Sequence, residues 1–135
     1  MHITEASNGG YWPGSPESIP EYDYSYTELD DMPEGWQIAF GEQLCDELKL
    51  ELKKSGHIND YRITQIKEKY SMLRWYDNGK TPKMYEIINK YVDMSKRTCI
   101  CCGKPATRIT IGWISPYCDD CCKENSVPID EYYSN

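Results

Sequence analysis

At 135 residues, with a formal net charge of −7 and a pI near 4.8, the chain has room for one ordinary domain with a modest core. The acidity excludes a protein that binds nucleic acid through its whole surface, which would need clustered Lys and Arg. No run approaches the roughly eighteen apolar residues of a membrane span, and "MHITEASNGGYWPGSPE" has neither the basic nor the apolar region of a secretion signal.

The expected setting is therefore a reducing cytosol, with protein partners, no membrane, and the seven cysteines acting as thiols or metal ligands rather than disulfides. Charge falls in three blocks. Residues 1–48 carry eleven acids and no Lys or Arg, residues 49–108 carry fourteen basic and six acidic residues, and residues 109–135 carry one lysine and five acids.

Residues 1–30, with "GGYWPGSPESIPEYDYSYTELDD", hold no sustained helical or strand period. They read as an acidic, Tyr-rich arm. Few aliphatics favour a flexible leader, whereas Tyr11, Trp12, Tyr22, Tyr24 and Tyr26 favour a segment that docks on the body or on a partner. Its candidate partner-binding residues, with the start of the next element, are Glu21, Asp23, Tyr24, Tyr26, Glu28, Asp30 and Asp31.

Residues 31–97 read as a helix, β-hairpin, helix body. In "DDMPEGWQIAFGEQLCDELKLELKKSG", Asp31 is the expected cap, Pro33 suits the first turn, and Gly56 is a stop signal. Trp36, Phe40, Leu44, Leu48 and Leu52 recur every four residues as one apolar stripe flanked by Ala39 and Cys45, the latter a small buried hydrophobe. Gly41 weakens this helix slightly. "YRITQIKEKYSMLRWYDNG" predicts two strands joined near Ser71 and Met72, with a helix over 63–75 as the alternative. Thr81 and Pro82 then cap a helix to about Arg97, with Met84, Ile87, Ile88, Tyr91 and Met94 on one face.

Residues 98–135 read as a zinc ribbon and C-terminal tail. Cys99-x2-Cys102 and Cys118-x2-Cys121 stand fifteen residues apart, within the spacing range of a four-cysteine zinc ribbon. Each tight turn aims two sulfurs at one tetrahedral centre, and "ATRITIGWI" supplies β-branched strands to join the turns. Gly103 fits a position of positive φ after the second cysteine. Zn2+ is the expected ion, although four thiolates also hold iron. Cys101 and Cys122 are alternative ligands ranked below the two pairs. The fold class expected is α+β: two helices with a β-hairpin between them and a C-terminal four-cysteine ribbon.

Four thiolates leave no open coordination position for water activation. Only His2 and His57 are available for imidazole chemistry, no nucleophile or phosphate-binding motif is present, and Asp30-Asp31 and Asp119-Asp120 read as caps or solvated turns. A protein without catalysis is expected. In the basic middle, Lys67, Lys69 and Arg74 interleave with Tyr70, Trp75 and Tyr76. This pattern fits a solvated face, a surface on which the acidic arm folds back, or a nucleic-acid contact.

Three stretches, "MPEGWQIAFGEQLCDEL", "YRITQIKEKYSMLRWYDNG" and "TCICCGKPATRITIGWISPYCDDC", resemble a family of small zinc-ribbon proteins of phages, prophages and bacteria, over about residues 32–122. The resemblance implies the ribbon ligands Cys99, Cys102, Cys118 and Cys121 and names no activity. Members often have glycine where Ser71 and Met72 stand. The chain is also similar in kind to zinc-binding anti-CRISPR proteins acting on type II effector nucleases. That likeness implies an inhibitor that binds a host nuclease or its guide complex and blocks DNA loading or cleavage; the charge of residues 1–48 makes the acidic arm and first helix the candidate contacts. The alternative is a nucleic-acid-binding zinc ribbon using the basic middle.

Overall fold

A computed structural model describes residues 28–58 and 60–134. The candidate partner residues Glu21, Asp23, Tyr24 and Tyr26 lie outside these, as do the other aromatics of the arm. The architecture is α+β, with helices and two small antiparallel sheets. Among the described residues no helix is long and apolar enough to cross a membrane.

A 3-10 turn over Glu28–Asp31 leads into α1, which is built from an α-helical start Glu34–Trp36, a π turn Gln37–Gly41 and a regular helix Glu42–Ser55. Asp31 is not the cap. It ends the 3-10 turn, and Pro33 takes the N-cap position without a side-chain cap bond. One orphan N–H of the first turn, that of Gly35, goes instead to the carbonyl of Ile100 at 2.8 Å. The predicted stripe is in place, with Trp36, Phe40, Leu44, Leu48 and Leu52 at most 1 % exposed. A spacing of four drifts by about 40° per step around a straight α-helix. The π turn, advancing less per residue, takes up part of that drift where Trp36 hands over to Phe40. Gly56, in the left-handed region, closes α1 with bonds to Leu52 and Lys53.

Strands β1 (Ile63–Lys69) and β2 (Met72–Asp77) form the expected hairpin, and no helix spans 63–75. The turn falls one residue earlier than expected, on Tyr70 and Ser71, both with positive φ (52° and 72°). Two such residues between paired Lys69 and Met72 match the backbone of a type I′ hairpin loop. The inner face presents Ile66 and Leu73 to the core. Behind it, Trp75 Nε1 donates to Tyr61 Oη at 2.9 Å, and Tyr61 Oη donates to Asp77 at 2.6 Å. Burial first, then the Asp77 carboxylate, pushes the Tyr61 phenol far above its ordinary range.

Helix α2 (Pro82–Ser95) starts as its sequence indicates, with Met84 N–H donating to Thr81 Oγ1 at 3.2 Å and Pro82 in the first turn. Met84, Ile87 and Tyr91 are buried and Ile88 is half-buried. Met94 departs from the expected face and is 41 % exposed. Ser95 is the residue turned inward there, accepting from Leu73 N–H and donating to the Val92 carbonyl. Packing of α2 against both α1 and β2 completes the main core.

The C-terminal part carries β3 (Arg108–Thr110), β4 (Pro116–Tyr117) and β5 (Ser126–Pro128), with β3 central in the order β4-β3-β5. A short α3 (Ile129–Tyr132) follows. Ala106, Ile109 and Ile129 form a second, smaller core with Ile114 and Tyr133 against it. Neither β5 nor α3 was expected from the sequence. The tail "SVPIDEYY" contributes a sheet edge and an apolar plug, Ile129, whose N–H donates to the Thr107 carbonyl at 2.9 Å.

Candidate metal centre

Two turns build the site. In the first, Gly103 N–H donates to the Cys99 carbonyl and Cys99 N–H donates to the Lys104 carbonyl, which folds residues 99–104 back on themselves. Gly103 has φ +83°, and a Cβ there would stand 2.7 Å from the Gly35 carbonyl oxygen. Glycine is required by both the backbone and its neighbour. In the second turn, Cys121 and Cys122 both donate N–H groups to the Cys118 carbonyl. A bond from Ile100 N–H to the Pro116 carbonyl, at 3.1 Å, brings the turns together.

The result is one cluster of four sulfurs, from Cys99, Cys102, Cys118 and Cys121, all within 4.8 Å of one another. Cys102 Sγ and Cys118 Sγ are 3.6 Å apart. An ion with metal–sulfur bonds of about 2.3 Å at a tetrahedral centre sets its ligands about 3.8 Å apart. The four residues fit such an ion, and the cluster could hold a metal. Cys101 is exposed and Cys122 half-buried, and neither belongs to the four. Cys122 Sγ instead faces the Glu124 carbonyl at 3.6 Å. Cys45 is 1 % exposed in the main core, where burial keeps its thiol well above the ordinary range.

Electrostatics distinguish the ligands. Burial raises the Cys99 thiol, but the backbone N–H groups of Cys118, Cys102 and Cys101 bond its sulfur and bring it down to about 7. Cys121 moves the other way, held up by hydrogen bonding with Cys118, by burial and by the remaining sulfurs. Four thiols this close cannot all ionise alone. A dication would supply the compensating charge, and its binding would then release protons.

The cluster is wired to the helical body. Trp36 Nε1 donates to the Thr98 carbonyl at 2.9 Å, one residue before the first ligand. A Cβ on Gly35 would lie 2.1 Å from the Cys99 carbonyl oxygen, so backbone meets backbone with no space between. These contacts were not anticipated, although "GW" at 35 and 36 was in plain view as part of the first helix.

Of the candidate partner residues, Asp30 is half-buried and Asp31 exposed; the Glu28 side chain lies outside the described part. Comparisons with protein families, with curated proteins and with solved structures found no match for this chain.

Proposed function

We propose that the chain is a zinc-stapled binding protein without catalytic activity, and that it inhibits a host defence nuclease, most specifically a type II CRISPR effector, by occupying its nucleic-acid channel. The observation that carries the binding reading is the four-sulfur cluster itself. Its sulfurs can fill a tetrahedral shell, so the ion it fits would brace the fold and leave no site for water or substrate.

The outer side of α1 supports an acidic contact surface. Glu34, Glu42 and Asp46 are exposed there, continuing the charge of the segment before it. An effector channel that holds a heteroduplex is strongly positive, and acidic side chains would be steered to it and compete with phosphates. The partner's identity rests on the likeness to phage zinc-ribbon and anti-CRISPR proteins.

The test is a cleavage assay with a type II effector and its guide, with purified chain added in molar excess, beside a pull-down on the same effector. Inhibition together with capture is expected. Unimpaired cleavage and no capture would reject the nuclease, and a charge-reversed Glu34, Glu42 and Asp46 variant that inhibits fully would reject the acidic surface.

A further inference from the structure

We propose that the outer face of the β1–β2 hairpin, completed by Trp113 from the ribbon, binds single-stranded nucleic acid. The face is independent of the acidic side of α1 invoked above. Cross-strand pairing sets Lys67 opposite Arg74 and Gln65 opposite Tyr76, on the side of the sheet away from Ile66 and Leu73. Lys69 follows Lys67 two residues on, on the same side.

Ion pairs elsewhere engage Lys80, Lys90, Lys96 and Arg97. Among the described residues none engages Lys67, Lys69 or Arg74. Lys67 and Lys69 rest instead over the rings of Tyr76 and Tyr70, at 5.9 and 5.5 Å. Arg74 Nε is buried without a hydrogen-bond partner, a donor that an incoming anion would satisfy.

The rings are presented rather than packed. Tyr70 is 65 % and Trp113 is 73 % exposed, and each lines a groove of about 390 Å³ with Lys67, Lys69 and one carboxylate, Glu68, which the Trp113 indole engages. Trp113 is held at its edge, Nε1 donating to Glu68 at 3.3 Å, which leaves a face open. Along the β2 edge of the hairpin, Arg74, Tyr76 and Tyr85 line a second groove of about 390 Å³ between β2 and α2. Alternating cations and open aromatic faces match a strand that alternates phosphates and bases. Duplex offers its phosphates without its base faces and gains less from the same track.

The ribbon makes this face conditional on its fold. Trp113 sits in the β3–β4 loop, closed by Thr110 N–H to the Ser115 carbonyl at 3.1 Å and by Thr110 Oγ1 to the Trp113 carbonyl. Loss of the ribbon fold would take the tryptophan out of the groove.

The experiment is fluorescence anisotropy with fluorescein-labelled dT12 and U12 and a mixed 12-mer duplex, using the full chain at 50–200 mM salt. Three phosphate contacts predict a slope of log affinity against log salt of about −2, and each of Lys67→Ala, Lys69→Ala and Arg74→Ala should reduce it by about 0.7. Trp113→Ala and Tyr70→Ala, both at exposed positions, should weaken binding about tenfold and leave the slope unchanged. Prior chelation should weaken binding to the Trp113→Ala level. No binding to either single strand at 50 mM salt would overturn the proposal. So would duplex binding as tight as single strand, indifference to the aromatic variants, or tighter capture of a Glu-rich peptide by the same residues.

Discussion

Gly35 donates its backbone N–H to the Ile100 carbonyl at 2.8 Å, and this one bond joins the first turn of the long helix to the first cysteine turn. The approach is closed to any side chain, because a Cβ on Gly35 would meet Cys99 O at 2.1 Å and Ile100 C at 2.6 Å. Main-chain atoms cannot step aside as a flexible side chain would. Gly35→Ala is therefore expected to destabilise the protein by about 3 kcal/mol or more, read in denaturant unfolding. An unchanged midpoint would mean that the helix start and the cysteine turn are not in contact.

The Trp36 indole N–H makes the same junction from the side chain. Trp36 is fully buried, and its acceptor, the Thr98 carbonyl, lies in a buried setting. Replacing Trp36 by Phe removes the donor and part of the ring, leaving an unpaired carbonyl and a void. A loss of about 2–4 kcal/mol follows, measured by thermal or denaturant melting, and a loss below about 0.5 kcal/mol would contradict it.

How much of this was legible depends on whether the signal was local. The stripe from Trp36 to Leu52, the Thr81–Pro82 cap and the two Cys-x-x-Cys pairs are each set by neighbours within a few residues, and each lies where its chemistry predicts. The Gly35–Ile100 and Trp36–Thr98 bonds span more than sixty positions of chain, which no periodicity reports. Asp31 looked like a cap because the usual partner of a first-turn N–H is a preceding side chain; the remote Ile100 carbonyl took part of that role. Strand β5 and α3 escaped because "SVPIDEYY" is too short and too polar to show a period.

The hairpin loop offers a stabilising change. Tyr70 and Ser71 both occupy the left-handed region, which costs an L-residue about 1–2 kcal/mol. Ser71→Gly should raise stability by about 0.5–1 kcal/mol, the relief being offset by glycine's greater unfolded freedom and by loss of the 3.4 Å contact between Ser71 Oγ and Tyr133 Oη. A lowered melting temperature would show that the hydroxyl contact outweighs the backbone strain.

Glu47 gives the fold an acid-side dependence. Partial burial pushes its carboxyl up, but the hydrogen bond from Lys90 and that from Tyr91 outweigh it and hold it below its ordinary 4.5. A carboxyl lowered in the folded state stabilises above its unfolded pKa, and that contribution fades as pH falls through the folded value. Stability should therefore decline from about pH 4.5 downward, and Glu47→Gln should flatten that part of the profile at a cost of about 1 kcal/mol at neutral pH. The lysine is 53 % exposed on its side chain, so salt should weaken the effect. A variant with the parent's acid profile would remove Glu47 from the account.

The most direct measurement is elemental analysis of freshly purified chain, paired with melting of Cys99→Ala and Cys118→Ala variants. One equivalent of zinc per chain is predicted, together with a drop in melting temperature of about 10 °C or more in each variant, since metal affinity held by thiolates is folding free energy. Protein free of zinc and iron, or alanine variants that melt with the parent, would contradict the claim that four sulfurs clamp the ribbon to the helical body.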